Sequence, residues 1–241
     1  MIALINNRRC LHVFGDDADS FLQGIITNDM NLLNNQPAIY SCLLTPQGKF
    51  LYDFMITRYQ GGYCLEVLED DVAGMEKRFK VYAMRAKVKF EWLDQLNIYA
   101  VWNKEDDQPV PSGSFIYIDP RLESLGKRII TETDVNTDAE MHDYDAYRVS
   151  LGIPDGSRDM KAELSTLYDG NMDALNAMSL KKGCFLGQEL TARMHYRGLI
   201  KKRLMTVQSG AAMTAGFINS TEGRMAGEVL SIYDGDTKGL R

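Results

Sequence analysis

Lys182-Gly183-Cys184-Phe185-Leu186-Gly187-Gln188-Glu189 is the stretch of this chain richest in groups that can do chemistry. A thiol stands between two glycines, which permit tight turns and let a ligand approach the main chain closely. Lys182, two residues before it, would favour a thiolate if the two side chains sit together. Gln188 offers a donor and an acceptor, and Glu189 a carboxylate able to accept paired hydrogen bonds. Spacing alone specifies no reaction, and Cys184 reads either as a buried structural thiol or as a reactive or metal-touching one. The stretch lies in a window, Lys181 to Arg203, with seven cations and one acid, a net +6 inside a 241-residue chain of formal charge −6. The natural counterpart of such a field is an anionic ligand or an acidic partner surface. The plainer alternative is a solvated basic stretch balancing Glu132 to Asp145, which holds six acids and no Lys or Arg.

The other cysteines, Cys10, Cys42 and Cys64, are far apart and form no C-x-x-C pair. They suit reduced, buried small hydrophobes in a cytosolic compartment. His12, His142 and His195 are isolated, so no resident metal site is expected. Overall acidity argues against broad nucleic-acid binding. No run approaches the roughly 18 apolar residues of a membrane helix, and the N-terminus lacks the apolar core of a signal peptide. A cytoplasmic, bacterial setting is the expectation, or the mitochondrial matrix for a mature eukaryotic chain.

The elements that must position these groups are short strands and helices. Asp16 to Leu22 reads as a capped helical turn. Ile39–Leu44 and Phe50–Thr57 flank the turn Pro46-Gln47-Gly48 as a hairpin. Alternation puts Phe50, Tyr52, Phe54 and Ile56 on one face of the second strand and Leu51, Asp53 and Met55 on the other, so Asp53 is a carboxylate on a mostly apolar face. Tyr63 to Leu68 is a third strand, and a helix from Asp70 places Val72, Met75, Phe79 and Tyr82 at helical spacing. Strands at 97–102, 115–118 and 127–131 and a helix from about His142 to Leu151, stopped by Gly152 and Pro154, form a second set. The expected fold class is α+β, with units 1–90 and 91–200 and a short β-rich segment 201–241.

K-G-C-F-L-G-Q-E resembles the K-G-C-[YF]-x-G-Q-E signature of the YgfZ family, folate-binding relatives of the glycine-cleavage T-protein that support iron–sulfur protein maturation. The continuation Leu190-Thr191-Ala192-Arg193-Met194-His195-Tyr196-Arg197-Gly198 is similar to the branch containing the mitochondrial iron–sulfur assembly factor and its proteobacterial counterparts. Three further blocks agree: Phe21 to Asp29, Leu44 to Phe50 and Tyr147 to Pro154. The resemblance implies a T-protein-like arrangement of small domains around a central opening, closed by a C-terminal β-barrel. The 52 residues after Glu189 are short for that barrel, which is therefore expected to be reduced or incomplete.

It also implies tetrahydrofolate, or a polyglutamylated derivative, as ligand. A pterin needs a carboxylate or amide acceptor and flat apolar walls, and a glutamate tail needs cations. Asn28, Asp29, Asp53, Gln188 and Glu189 are the expected ring contacts, Glu189 and Asp29 ranking above Asp53. Arg193, Arg197 and Lys182 are the expected tail clamps, and Tyr40, Tyr52 and Phe185 are wall candidates that read more simply as core. Asp29 equally suits a helix cap, and Glu189 an ion pair with Arg193 if the stretch is helical. The implied function is an accessory factor in iron–sulfur assembly or repair. Cys184, with Lys182 beside it, would act on a transiently held cluster, a metal, or a partner among the assembly proteins or client enzymes. The alternatives are a folate-dependent aminomethyltransferase and a scaffold that binds no ligand.

Overall fold

The computed structural model describes residues 1–103 and 110–210, and in the C-terminal segment residues 214, 216–219, 222 and 224–233. Its strands are β1 (Ile2–Leu4), β2 (Arg8–Phe14), β3 (Ala38–Leu44), β4 (Phe50–Tyr59), β5 (Gly62–Leu68), β6 (Lys89–Trp92), β7 (Asn97–Val101), β8 (Phe115–Ile118) and β9 (Lys127–Thr131). The helices are α1 (Ala18–Ile25), α2 (Val72–Ala83), α3 (Met141–Ser150), α4 (Gly156–Asp159) and α5 (Gln188–Arg197). A five-stranded antiparallel sheet has the order β3-β4-β5-β2-β6, and a four-stranded antiparallel sheet the order β1-β7-β9-β8. The sheets exchange strands across residue 90: β1 joins the second sheet beside β7, and β6 joins the first beside β2. A pair of exposed strands, β10 (Gly216–Asn219) and β11 (Met225–Val229), follows.

Alternation along the first sheet sorts its side chains into two layers. Leu11, Val13, Ile39, Phe54, Ile56, Leu65 and Val67 pack against Phe21, Leu22 and Ile25 of α1 and Met75 and Phe79 of α2. Tyr40, Cys42, Met55 and Cys64 face the other way, into a core shared with Ile98, Ala100 and Ile130 of the second sheet. Tyr52, Phe54 and Ile56 lie together as their spacing requires, but Phe50 does not. An irregularity at Leu43/Leu44 shifts the register, so Phe50 turns into the inter-sheet core and Leu51 to the helix side. Nor does Asp17 cap α1, because its carboxylate accepts the Lys87 amide at 2.7 Å instead. The acidic stretch behaves as a helix start: Glu140 and Asp143 form a capping box on α3.

Charged groups fill the middle of the inter-sheet layer. The Arg8 guanidinium lies 3.1 Å from Glu66, 3.3 Å from Asp155 and 3.5 Å from Asp53. Arg128 of β9 reaches the same Glu66 at 3.6 Å, and Asp119 at 3.6 Å. Arg121 donates to Asp119 at 2.7 Å and to the Tyr144 hydroxyl at 2.9 Å, and Arg148 of α3 pairs with Asp159 of α4 at 2.7 Å. Tyr40 donates to Asp53 at 2.7 Å and Tyr117 to Glu66 at 2.9 Å. These residues are all buried, so each charge depends on its neighbours for compensation.

Arg8→Met deletes the cation shared by three acids while keeping most of the side-chain volume. A stability loss of about 3–5 kcal/mol is expected in urea denaturation at neutral pH. A loss below about 1 kcal/mol would show that Arg8 does not hold the sheets together.

Candidate functional site

The 182–189 stretch forms a loop that enters α5 and is stitched to the first sheet's helix–strand connection. Ser179 donates its amide to the Thr27 carbonyl at 3.0 Å, and Leu186 its amide to the Gly24 carbonyl at 3.0 Å. The Thr27 hydroxyl donates back to the Ala177 carbonyl at 2.6 Å. Phe185 is buried, and its amide donates to Gln188 Oε1 at 2.8 Å, so Gln188 holds the turn that precedes its own helix. Gly187 and Gly48 both sit at φ +79°. A Cβ on Gly187 would come within 2.5 Å of the Thr45 carbonyl oxygen, and one on Gly48 within 2.7 Å of the Gly187 carbonyl oxygen. Only glycine fits at either place, because the β3–β4 turn and the start of α5 meet there main chain to main chain. Gly183 has open space around it and no such backbone, so crowding explains one of the two glycines that bracket the thiol.

Lys182 drives its ammonium inward. Nζ donates to the Ile26 carbonyl at 2.8 Å and the Asn28 carbonyl at 2.6 Å, and it lies 5.2 Å from the centre of the Phe185 ring. Burial lowers its pKa to about 8, with nearby Asp29 working against that shift. The charge expected to serve Cys184 is thus spent on main-chain carbonyls at the end of α1. Cys184 is exposed, whereas Cys10, Cys42 and Cys64 are buried.

Asn28 is buried and committed. Its amide nitrogen donates to the Tyr40 carbonyl at 2.7 Å and the Asn176 carbonyl at 2.8 Å, and its Oδ1 accepts the Asp29 amide at 2.9 Å. Asp29 caps a 3-10 turn, Met30–Asn34, and accepts from Gln23 and twice from Asn31, always on Oδ1. Burial would raise its pKa, but those hydrogen bonds and the charge of Lys182 outweigh it and hold the carboxyl below the usual range. Its Oδ2 has no hydrogen-bond donor among the described residues.

Along α5, Glu189, Arg193 and Arg197 are exposed. The stretch is helical, yet Glu189 and Arg193 form no ion pair among the described residues. Four-residue spacing permits that contact without compelling it on a solvated face. Asp53 is elsewhere, fully buried in the inter-sheet ion network. Burial raises its pKa, with Arg8 opposing and Asp155 adding. The cavity beside that network is about 10 Å³ and is lined by Arg8, Arg121, Tyr144 and Asp155 among others. That volume suits about one water molecule. Tyr40 and Phe185 are core residues, and Tyr52 packs at the edge of the helix-side core. The structure therefore joins Asn28, Asp29, Lys182, Cys184 and Gln188 at one place, runs Glu189, Arg193 and Arg197 away from it along α5, and separates Asp53. The buried cations Arg8, Arg121 and Arg148 were not singled out from spacing. Their one signal is a charge set among apolar residues in short strands and turns.

No protein-family model matches the chain. Among curated proteins, it is 31% identical over 227 residues to the mitochondrial iron–sulfur cluster assembly factor IBA57 homolog of Neurospora crassa, covering 83% of this chain and 52% of the relative. It is 29% identical over 243 residues to the mouse mitochondrial iron–sulfur cluster assembly factor IBA57, covering 89% of this chain and 68% of the relative. The chain spans about half the length of the fungal relatives it matches. Among solved structures, the glycine cleavage system aminomethyltransferase T of Bartonella henselae superposes with a TM-score of 0.71 at 16% identity, over 95% of this chain and 73% of that one. The fold is therefore a mixed α/β fold of the T-protein kind.

A lysine with a pKa near 8 becomes nucleophilic well before a solvated one. In competitive acylation of the full chain across pH 6 to 11, Lys182 should show an inflection at about 8. An inflection above 10 at Lys182 would mean that its ammonium is not held inside.

Proposed function

We propose that this protein is an accessory factor in iron–sulfur cluster assembly or repair, in which the Cys184 thiol makes transient contact with a cluster, a metal or a partner protein. One observation carries the reading: of four cysteines, Cys184 is the one exposed to solvent, on a loop fastened to the first sheet on both sides. A thiol kept at the surface by main-chain locks is placed to exchange with an incoming ligand, whereas buried thiols are inert. The likeness to assembly factors at about 30% identity supports this class of work, and the mitochondrial naming of those relatives supports a mitochondrial setting. The aminomethyltransferase likeness lies at the level of fold and carries no activity.

Tetrahydrofolate belongs to the proposal as a surface ligand. The interior acceptor Asp53 does not fit it, because a cavity of about 10 Å³ admits no pterin ring. Asp29 suits it better: its Oδ2 is open to a paired N–H donor, and the carboxyl is held in its ionised form. The exposed Arg193 and Arg197 are the cations available to a glutamate tail.

In cells lacking the native copy, Cys184→Ala should leave melting behaviour unchanged to within about 0.5 kcal/mol, since the side chain is exposed. It should also abolish rescue of iron–sulfur enzyme activity, and full rescue by this variant would remove the thiol from the mechanism. In anaerobic titration of the purified chain with tetrahydrofolate, Asp29→Asn should weaken binding about tenfold, as expected for loss of a charge-assisted hydrogen bond. Equal affinities for the two proteins would exclude Asp29 from the contact.

A further inference from the structure

α2 buries Met75 and Phe79 in the helix-side core of the first sheet and turns a different surface outward. From Lys77 to Phe90 the sequence holds six cations, Lys77, Arg78, Lys80, Arg85, Lys87 and Lys89, and no acid. Helical spacing puts Lys77 and Val81 on the side opposite Met75 and Phe79, and Met84 follows at the C-terminal end of the helix. Val81 is 60% exposed and Met84 85%, the highest value for a large apolar side chain among the described residues. Lys77, Lys80, Arg85 and Lys87 flank this pair in the chain and are all exposed. Lys80 pairs with Glu76, and Lys87 with Asp16 at 3.3 Å, in solvated contacts that hold these cations weakly. Lys77 and Arg85 form no ion pair among the described residues. Arg78 is turned to Glu163 at 2.5 Å and Lys89 lies over the Phe14 ring, so neither joins the set.

The backbone sets Met84 apart. The Ala86 amide donates to the Ala83 carbonyl at 2.6 Å, so Met84 is the second residue of a tight turn, at φ +40° and ψ −96°. Turns that demand a positive φ at that place are ordinarily given glycine, since a Cβ is crowded there. An apolar side chain is held in solvent at a position where its absence would relax the main chain, and packing within the fold gives no reason for it.

We propose that the C-terminal end of α2 is a peripheral membrane-binding site, where Val81 and Met84 enter the head-group layer of an anionic lipid surface and Lys77, Lys80, Arg85 and Lys87 lie against its phosphates. The proposal is independent of the reading of Cys184. An apolar tip among cations is the arrangement by which a protein lies on such a surface: the apolar groups gain by leaving water, and each cation adds attraction to the lipid charge. Lysine suits the place, because its stem can lie along the apolar layer while the ammonium stays at phosphate level. The helix dipole presents its negative end here, and four cations outweigh the half charge it carries. No helix among the described residues is long and apolar enough to cross a membrane, so the contact is with the surface alone. A protein partner fits less well, since lysine is depleted at protein interfaces and valine is seldom an anchor in them. A nucleic acid fits less well too, because the exposed Val81 and Met84 have nothing to bind on a phosphate backbone and cannot stack a base.

The test is flotation of the purified full chain with vesicles of phosphatidylcholine alone and with vesicles in which one lipid in three is phosphatidylglycerol. The chain should float with the anionic vesicles and stay in solution with the neutral ones, and raising the salt should release it. Lys77→Glu/Arg85→Glu should weaken the association at least about tenfold, since each cation near an anionic surface contributes about fivefold. Arg193→Glu/Arg197→Glu makes the same charge change on α5 and should float as the parent does. Met84→Gly should weaken the association about fivefold through the lost apolar contact, and it should melt no lower than the parent because glycine relaxes the turn. Three results would each overturn the site: equal flotation with both kinds of vesicle, flotation unchanged in both α2 variants, or flotation lost in the α5 variant and kept in the α2 ones. Vesicles that leave the chain in solution would overturn it as well. In that case carbodiimide cross-linking of Lys77 to an acidic protein in cells, or ultraviolet cross-linking of α2 to RNA, would give the face to that partner instead.

Discussion

Arg8 is the constraint on which the arrangement of the two sheets depends. It projects from β2 into a layer where three carboxylates, Asp53, Glu66 and Asp155, arrive from β4, β5 and the turn before α4. A guanidinium or a carboxylate in such a place is tolerated only while its counter-charges stay put, because a buried unpaired ion costs several kcal/mol. The second sheet brings Arg128 to the same Glu66, and Asp119 binds Arg121, which in turn bonds Tyr144 of α3. Removing either sheet would strand charges on the other. The layer therefore fixes the docking of the two sheets far more specifically than the apolar residues around it, which would accept a range of offsets.

That rigidity is handed outward to the thiol loop. The strands that carry Asp53 and Tyr40 also form the β3–β4 turn, where Gly48 meets Gly187, and the connection after α1 accepts the Lys182 ammonium. Burial of the Lys182 ammonium disfavours its charged form, which is why its pKa falls towards 8. It holds the loop all the same, because the alternative is two carbonyls without a donor. The blocks Phe21–Asp29, Leu44–Phe50 and Lys182–Glu189 lie far apart in the chain and form a single physical object, a loop and the surface that clamps it.

How much of this was legible follows from what each residue must satisfy. β3, β4, β5, β7, β8 and β9 announce themselves because their burial alternates or runs continuously, and α2 and α3 because of their helical spacing and, for α3, its acidic start. β1 is three residues long, and β2 reads Arg-Arg-Cys-Leu-His-Val-Phe, so its strand pattern is broken by the charges that make the ion network. Arg8 looks like surface until topology supplies its three acids from far along the chain. Phe50 is misplaced by alternation because one irregularity at Leu43/Leu44 reverses the count. Asp53 stood out as a carboxylate on an apolar face, and it is buried, but its partners could not be named from spacing. The thiol stretch was legible as a motif, whereas the inward turn of Lys182 was not, since the carbonyls it binds lie more than 150 residues away.

The electrostatics of interior and surface now divide the work. Inside, cations and carboxylates are matched so closely that a cavity of about 10 Å³ remains, and the raised pKa of Asp53 reflects burial rather than readiness for a substrate. That ion layer fixes how the two sheets dock, and the cavity beside it leaves no room for a ring system. At the surface the matching stops. Arg203 is answered by Asp173 and Lys161 by Glu228, but Arg193, Arg197, Lys201 and Lys202 are exposed and form no ion pair among the described residues. Uncompensated charge at a surface is cheap in stability and valuable in encounter rate. The chain's overall −6 is thus the sum of a strongly acidic body and one basic window, Lys181 to Arg203, of net charge +6.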